Sequence, residues 1–177
     1  MYKLFGTLLV VGGMMFAQTG TPVSGGNMKG AHLSAADHKF ATDAAEGGMA
    51  EVQLGQLAVS KASSPDVKNF GQRMIDDHSK ANDQLKSWAS GEGFTLPTSI
   101  GAKNQATYDR LSKLSGAAFD KAYMQDMVKD HEMDVKAFEH ESQSGSNASL
   151  KSFASSTLPT LQEHLRMAKE TDSKLGK

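Results

Sequence analysis

Apolar residues recur at alternating steps of four and three along four stretches of the chain. This spacing predicts four long amphipathic helices. The first carries Phe40, Ala44, Gly47, Glu51, Leu54 and Ala58 on one stripe; Ser34 caps it, Asp37 sits in its first turn, and it ends near Ala62. Ser63-Ser64-Pro65-Asp66 forms a short turn, with Ser64 at the cap and Pro65 at the first helical position. The second stripe is Val67, Phe70, Met74, His78, Ala81, Leu85 and Trp88, stopped at Gly91-Glu92-Gly93. A turn this short imposes an antiparallel hairpin.

The third stripe starts near Ala117 and shows Met124, Met127, His131, Val135 and Phe138. A polar turn at residues 143–147 leads to the fourth, with Leu150, Phe153, Thr157, Leu161, His164 and Ala168. Pro159 lies inside that pattern and should kink the helix, since it removes one backbone bond and crowds the preceding turn. The two hairpins are joined by a long connection, Phe94 to Ser115. It contains Pro97 and a short helix over about Lys103 to Leu114, with Tyr108, Leu111 and Leu114 inward. The expected fold is therefore all-α: an up-down bundle of two helical hairpins with a crossover that carries an extra helix. Gly47-Gly48 weakens the first helix by up to about 2 kcal/mol against Ala, a cost that close helix–helix contact explains.

Each stripe is broken near its middle by one metal-competent side chain: Glu51, His78, His131 and His164. A polar residue there is costly unless it is paired, hydrogen-bonded or ligating. Counting from the turns places Glu51 and His78 at one level, about thirteen and fourteen residues from the turn centre. His131 and His164 lie about fifteen and eighteen residues from theirs, a mismatch of roughly 4.5 Å. Three imidazoles and a carboxylate suit zinc, copper, iron or manganese. The alternative is a buried hydrogen-bonded polar cluster without metal, which can set helix register. A metal-dependent oxidoreductase is a further reading, and it requires an open coordination position. No residue is assigned a catalytic role.

Asp77, Asp130 and Glu163 directly precede the three histidines. The preceding position points about 100° away on a helix, so these are poor ligands beside their own histidine, though they can support one on a neighbouring helix. Met74 and Met127 lie one turn before two of the histidines, and Met167 lies near His164. Thioethers beside imidazole favour Cu(I), while core packing is the commoner role of Met. His32, His38 and His140 fall off the stripes and are expected to face solvent.

The net charge of −1 creates no strong field for nucleic acid or an anionic membrane. The absence of cysteine excludes disulfides, thiolate metal sites and a cysteine nucleophile. Residues 1–17 read as a signal peptide, with Lys3 ahead of an apolar run from Leu4 to Ala17 that is too short to span a bilayer comfortably. Residues 18–34 read as a flexible mature tail, and 35–175 as the bundle. A periplasmic or secreted protein follows, with no integral membrane segment in the mature chain.

Several of these pieces together resemble a known family. They are Ala50-Glu51-Val52-Gln53-Leu54-Gly55, Met74-Ile75-Asp76-Asp77-His78 after Phe70, Phe119-Asp120-Lys121-Ala122-Tyr123-Met124 ahead of His131, and Thr157 to Leu165 around His164. In combination they resemble the exported bacterial proteins of domain of unknown function 4142, over nearly the whole mature chain. The resemblance implies a four-helix ferritin-like bundle and no particular activity. Di-iron members of that wider fold carry Glu-x-x-His pairs. Here Ile75 and Leu161 stand three residues before His78 and His164, so a di-iron oxidase centre is not expected.

Overall fold

A computed structural model describes residues 33–176, which form five α-helices and no strand. They are α1 (Ala35–Lys61), α2 (Pro65–Glu92), α3 (Gly101–Ser112), α4 (Gly116–Ser144) and α5 (Ala148–Leu175). The expected signal peptide, nearly all of the expected tail, and His32 lie outside the described residues. No helix among the described residues is long and apolar enough to cross a membrane.

The helix ends follow local chemistry. Ser34 caps α1 by accepting from the Asp37 N–H at 3.0 Å. Gly93, at φ 67°, closes α2 in the left-handed region, and the Phe94 N–H reaches back to the Ala89 carbonyl. Pro65 occupies the first turn of α2, where its missing N–H costs no helical bond. The short helix starts two residues earlier than its pattern suggests, because Gly101 at φ 74° makes the turn into it. α5 stays helical on both sides of Pro159.

α1 packs along α2, and α4 along α5. α1 and α2 approach closely where Gly55 faces Gly71: a Cβ added at Gly71 would lie 2.6 Å from Ala58 Cβ and 2.9 Å from the Gly55 carbonyl oxygen. The hairpins meet through α2 against α5 and α1 against α4, while α3 lies on α1 and α4. Asp66–Lys174 and His164–Asp77 contacts, with Trp88 donating to Ser149, show that α2 and α5 run antiparallel. Edge-to-face packing of Phe40 near the start of α1 on Phe138 near the end of α4 shows the same for that pair.

Each hairpin caps the turn of the other. Asp120 of α4 accepts from the Ser63 and Ser64 N–H groups at 3.0 and 2.9 Å. Asp37 of α1 accepts from the Ser146 and Asn147 N–H groups at 2.9 and 3.0 Å. Both carboxylates are buried, and the chain length from Asp37 to Ser63 equals that from Asp120 to Ser146. The hydroxyl of Ser64 makes no capping bond of its own, so Asp120 serves that turn.

Two apolar clusters fill the interior. One, toward the α1–α2 turn, holds Leu54, Phe70, Met74, Phe119, Tyr123 and Met127. The other, toward the α4–α5 turn, holds Phe40, Leu85, Phe138, Leu150, Phe153 and Leu161. On each long helix the residue between the two clusters is polar and buried: Glu51, His78, His131 and His164. The molecule thus carries one polar layer between two apolar ones.

Candidate metal centre

The polar layer is anchored on two sides. The His131 ring on α4 is fully buried, and its Nδ1 lies 2.9 Å from the Met127 carbonyl oxygen one turn earlier. A carbonyl only accepts, so Nδ1 carries the proton and Nε2 keeps its lone pair. His164 on α5 places Nε2 at 3.0 Å from Asp77 Oδ2 on α2, which likewise leaves Nδ1 as the free nitrogen. Asp77 also bonds Arg73 and lies near Lys80, and these cations fix its carboxylate on the surface side of the layer.

The three rings lie close together. His78 Nε2, His131 Nε2 and His164 Nδ1 are buried and have no hydrogen-bond partner. One ligand nitrogen from each ring lies within 4.8 Å of the others. The ring centroids are 5.8 Å (78–131), 5.4 Å (78–164) and 5.3 Å (131–164) apart. Zn–N bonds of about 2.0–2.1 Å in a tetrahedron set nitrogens roughly 3.4 Å apart. Contraction of at most roughly 1.4 Å, the difference between 4.8 Å and that spacing, would therefore bring the three into ligating geometry.

Electrostatics keep the rings neutral, as ligation requires. Burial pushes the His78 pKa well below its ordinary value, and His131 and His164 push it further. His131 falls to about 4, through burial and then His164, partly opposed by the Met127 carbonyl. His164 falls through burial, against the pull of Asp77. Burial raises Asp77, but its bonds to His164 and Arg73 outweigh this and hold it below the usual carboxylate range.

Glu51 is buried in the same layer but is not part of the close three-nitrogen group. Both of its carboxylate oxygens lack partners. Burial, then the Asp130 and Asp134 carboxylates, hold it well above the usual carboxylate range. It in turn adds to the effect of burial in raising the Tyr123 hydroxyl, which is also buried and unpartnered.

The other sequence candidates separate. Asp77 contacts a histidine on a neighbouring helix. Asp130 makes no hydrogen bond to a histidine among the described residues, and its charge helps to raise Glu51. Glu163 is turned to the surface, where it pairs with Arg166, so it does not support a histidine. Met74 and Met127 are buried in the apolar cluster beside the layer, and Met167 packs against that cluster. His38 and His140 are exposed as expected, with His38 edge-on to Phe94 at 4.9 Å.

Three further ionisable groups, which the stripes do not single out, carry raised pKa values. Asp134 lies one turn after His131 on the same face, and burial followed by Asp130 raises it to about 7. Glu141 is buried with Oε1 unpartnered; burial and then Asp37 raise it. Tyr123 completes the set. The i+3 spacing from His131 to Asp134 was the available signal.

A pocket of ≈ 280 Å³ between α1 and α4 reaches the layer, with His78 in its wall together with Phe40, Gly47, Phe138 and Leu161. Gly47 has no atom within 4 Å of an added Cβ, whereas a Cβ at Gly48 would lie 2.1 Å from Asn82 Oδ1. Close helix contact thus accounts for Gly48, and open space for Gly47.

The family model described as Domain of unknown function (DUF4142) matches residues 23–171. A crystal structure of a DUF305 fragment from Deinococcus radiodurans superposes with a TM-score of 0.70 at 11% identity, covering 80% of this chain and 98% of that one. A DUF305 protein from Streptomyces coelicolor, proposed to be secreted, gives a TM-score of 0.67 at 14% identity, covering 80% and 94%. At such identities the likeness concerns the fold alone. No curated protein matches the sequence.

Proposed function

The chain belongs to the DUF4142 family, and on that premise we propose that it is an exported protein that binds one transition-metal ion through His78, His131 and His164. The observation that carries this reading is the convergence of three buried, unpartnered ring nitrogens. Two of those rings are held in the ligating tautomer by the Met127 carbonyl and Asp77. A metal-free polar network would instead pair these atoms with one another, since buried polar groups are almost always hydrogen-bonded. Here three buried rings each bring one nitrogen into a single close group, and each carries an unpartnered nitrogen, which favours a cation.

Zinc, copper, iron or manganese would suit three imidazoles. Glu51, in the same layer with both oxygens unpartnered, is the fourth donor we propose, once the metal's charge draws off its proton. The antiparallel contacts of the four long helices and the long connection through α3 support a ferritin-like bundle. Export is supported by the Lys3-led apolar run and by the neighbour proposed to be secreted. The role is then periplasmic or extracellular metal binding or stress protection. An oxidoreductase reading has one observation in its favour, the pocket that reaches His78.

The test is a set of melting curves of wild type and His78→Ala, each with chelator and with zinc, copper, manganese or ferrous iron. Metal at one hundred times its Kd stabilises by about 2.7 kcal/mol, or roughly 5–10 °C for a domain of this size. Wild type should gain that increment and His78→Ala should lose it. If no ion shifts wild type at micromolar concentration, the residues form a structural network.

A further inference from the structure

The two hairpin turns are built alike, with one difference. Asp37 holds the Ser146 and Asn147 N–H groups as Asp120 holds those of Ser63 and Ser64. The helix ends before them also match: the Ala62 N–H donates to the Ala58 carbonyl at 3.1 Å, and the Gly145 N–H to the Glu141 carbonyl at 2.9 Å. Counted on the same spacing, Glu141 stands where the first turn has Ala58, which is fully buried. One turn thus carries a methyl group where the other carries a carboxyl. Gly145 accommodates the larger side chain: a Cβ there, as Ala62 has, would lie 2.3 Å from Glu141 Oε1.

That carboxyl is desolvated. Glu141 is 3% exposed, and its Oε1 has no partner. Asp37, itself buried, lies within hydrogen-bonding reach of it. Two ionised carboxylates have no donor between them, so the contact requires a proton. Each Asp37 oxygen already accepts an N–H, which leaves Glu141 to carry that proton. Burial and then Asp37 raise Glu141, against smaller pulls from His140 on α4 and Lys151 on α5. Lys151 donates to the Gln143 carbonyl, Lys39 and Asp43 of α1 pair with each other, and Glu92 of α2 accepts from Ser149. Asp37 is therefore the charged group on which Glu141 acts.

We infer that Asp37 and Glu141 form a pH-operated latch: protonated Glu141 donates to Asp37 and keeps the start of α1 on the α4–α5 turn, and its ionisation releases that turn. A group raised on folding gives its full stabilisation below its ordinary value and loses it as pH rises through the folded one. The latch is thus closed in acid and loosens toward neutral pH. The twin turn, with Ala58, lacks it. No residue of the histidine layer takes part, so the latch stands or falls apart from metal binding.

The experiment is a pH titration of the chelator-treated full chain from 4 to 8, followed by the Glu141 Cδ resonance, amide shifts and amide exchange. The Cδ resonance should titrate with a midpoint above the ordinary 4.5, and the Ser146 and Asn147 amides should move with it. Their exchange protection should fall relative to that of Ser63 and Ser64, by about tenfold for each pH unit by which the midpoint is raised. Glu141→Gln, and Glu141→Ala with the residue type of the twin turn, should each remove the shift step and hold the relative protection constant within about twofold. Asp37→Asn should lower the Cδ midpoint. The inference is overturned if Glu141 titrates at or below 4.5, if the Ser146 and Asn147 step persists in both Glu141 variants, or if Ser63 and Ser64 lose protection equally.

Discussion

Replacing His131 with Leu should change how stability depends on pH, in a direction the buried layer dictates. His131 is fully buried, and its pKa falls from the ordinary 6.5 to about 4 on folding. The unfolded chain therefore binds a proton that the folded protein resists. Above pH 6.5 the neutral ring costs nothing; as pH falls from 6.5 toward 4 the folded state loses stability progressively. At pH 4 the loss is about 3 kcal/mol, from a shift of roughly 2.5 pH units at about 1.4 kcal/mol each, less the part not yet titrated. His131→Leu removes this dependence. At pH 7.5 it should lose only about 1 kcal/mol, through the bond to the Met127 carbonyl. Between pH 7.5 and 4 the difference should swing by about 3 kcal/mol toward the variant. Glu51 and Asp134 titrate in the opposite sense, since their raised pKa values remove stability as pH rises through their range. They are present in both proteins and cancel to first order. Urea titrations of the chelated proteins at four pH values give the measurement, with a relative midpoint shift of roughly 1–3 M. A difference constant to within about 0.5 kcal/mol over this range would refute a buried, neutral His131.

Other perturbations test the surroundings of the layer. Asp120→Ala should cost about 2 kcal/mol by urea titration, because the Ser63 and Ser64 N–H groups lose their acceptor. Gly71→Ala should cost more than about 2 kcal/mol, as its Cβ would press on Ala58 Cβ and the Gly55 carbonyl; Gly47→Ala should stabilise by about 0.5–1 kcal/mol. Equal effects at the two glycines would contradict the packing described. Asp77→Asn should weaken metal binding about 10–100-fold by competition with a chelator while the helical spectrum is kept, because Asp77 orients His164.

Much of the architecture is legible in the sequence because helix periodicity and end signals are local. Pro65 and Gly93 mark the ends of α2, and the stripe positions Phe70, Met74, Leu85, Phe138 and Leu161 are buried. The three histidines are legible for the same reason, as polar interruptions of apolar stripes. Counting along helices places residues at a level but does not say where side chains point. Glu51 thus reads as level with the histidines; it lies buried in their layer, near the Asp130 and Asp134 carboxylates and outside the close three-nitrogen group. Asp37 reads as an ordinary first-turn acid and Asp120 carries no signal of its own role, because their partners lie on the other hairpin. The same limit separates Gly47 from Gly48: adjacent in sequence, they face open space and Asn82 respectively.

Binding of one metal ion by His78, His131 and His164 can be seen in a crystal. Crystals of the full chain grown with zinc, measured above and below the zinc absorption edge, test it most directly. One dominant anomalous peak per chain is expected, about 2.0–2.1 Å from His78 Nε2, His131 Nε2 and His164 Nδ1. No peak in the layer at saturating zinc, with the three rings instead hydrogen-bonded through ordered water, would contradict it.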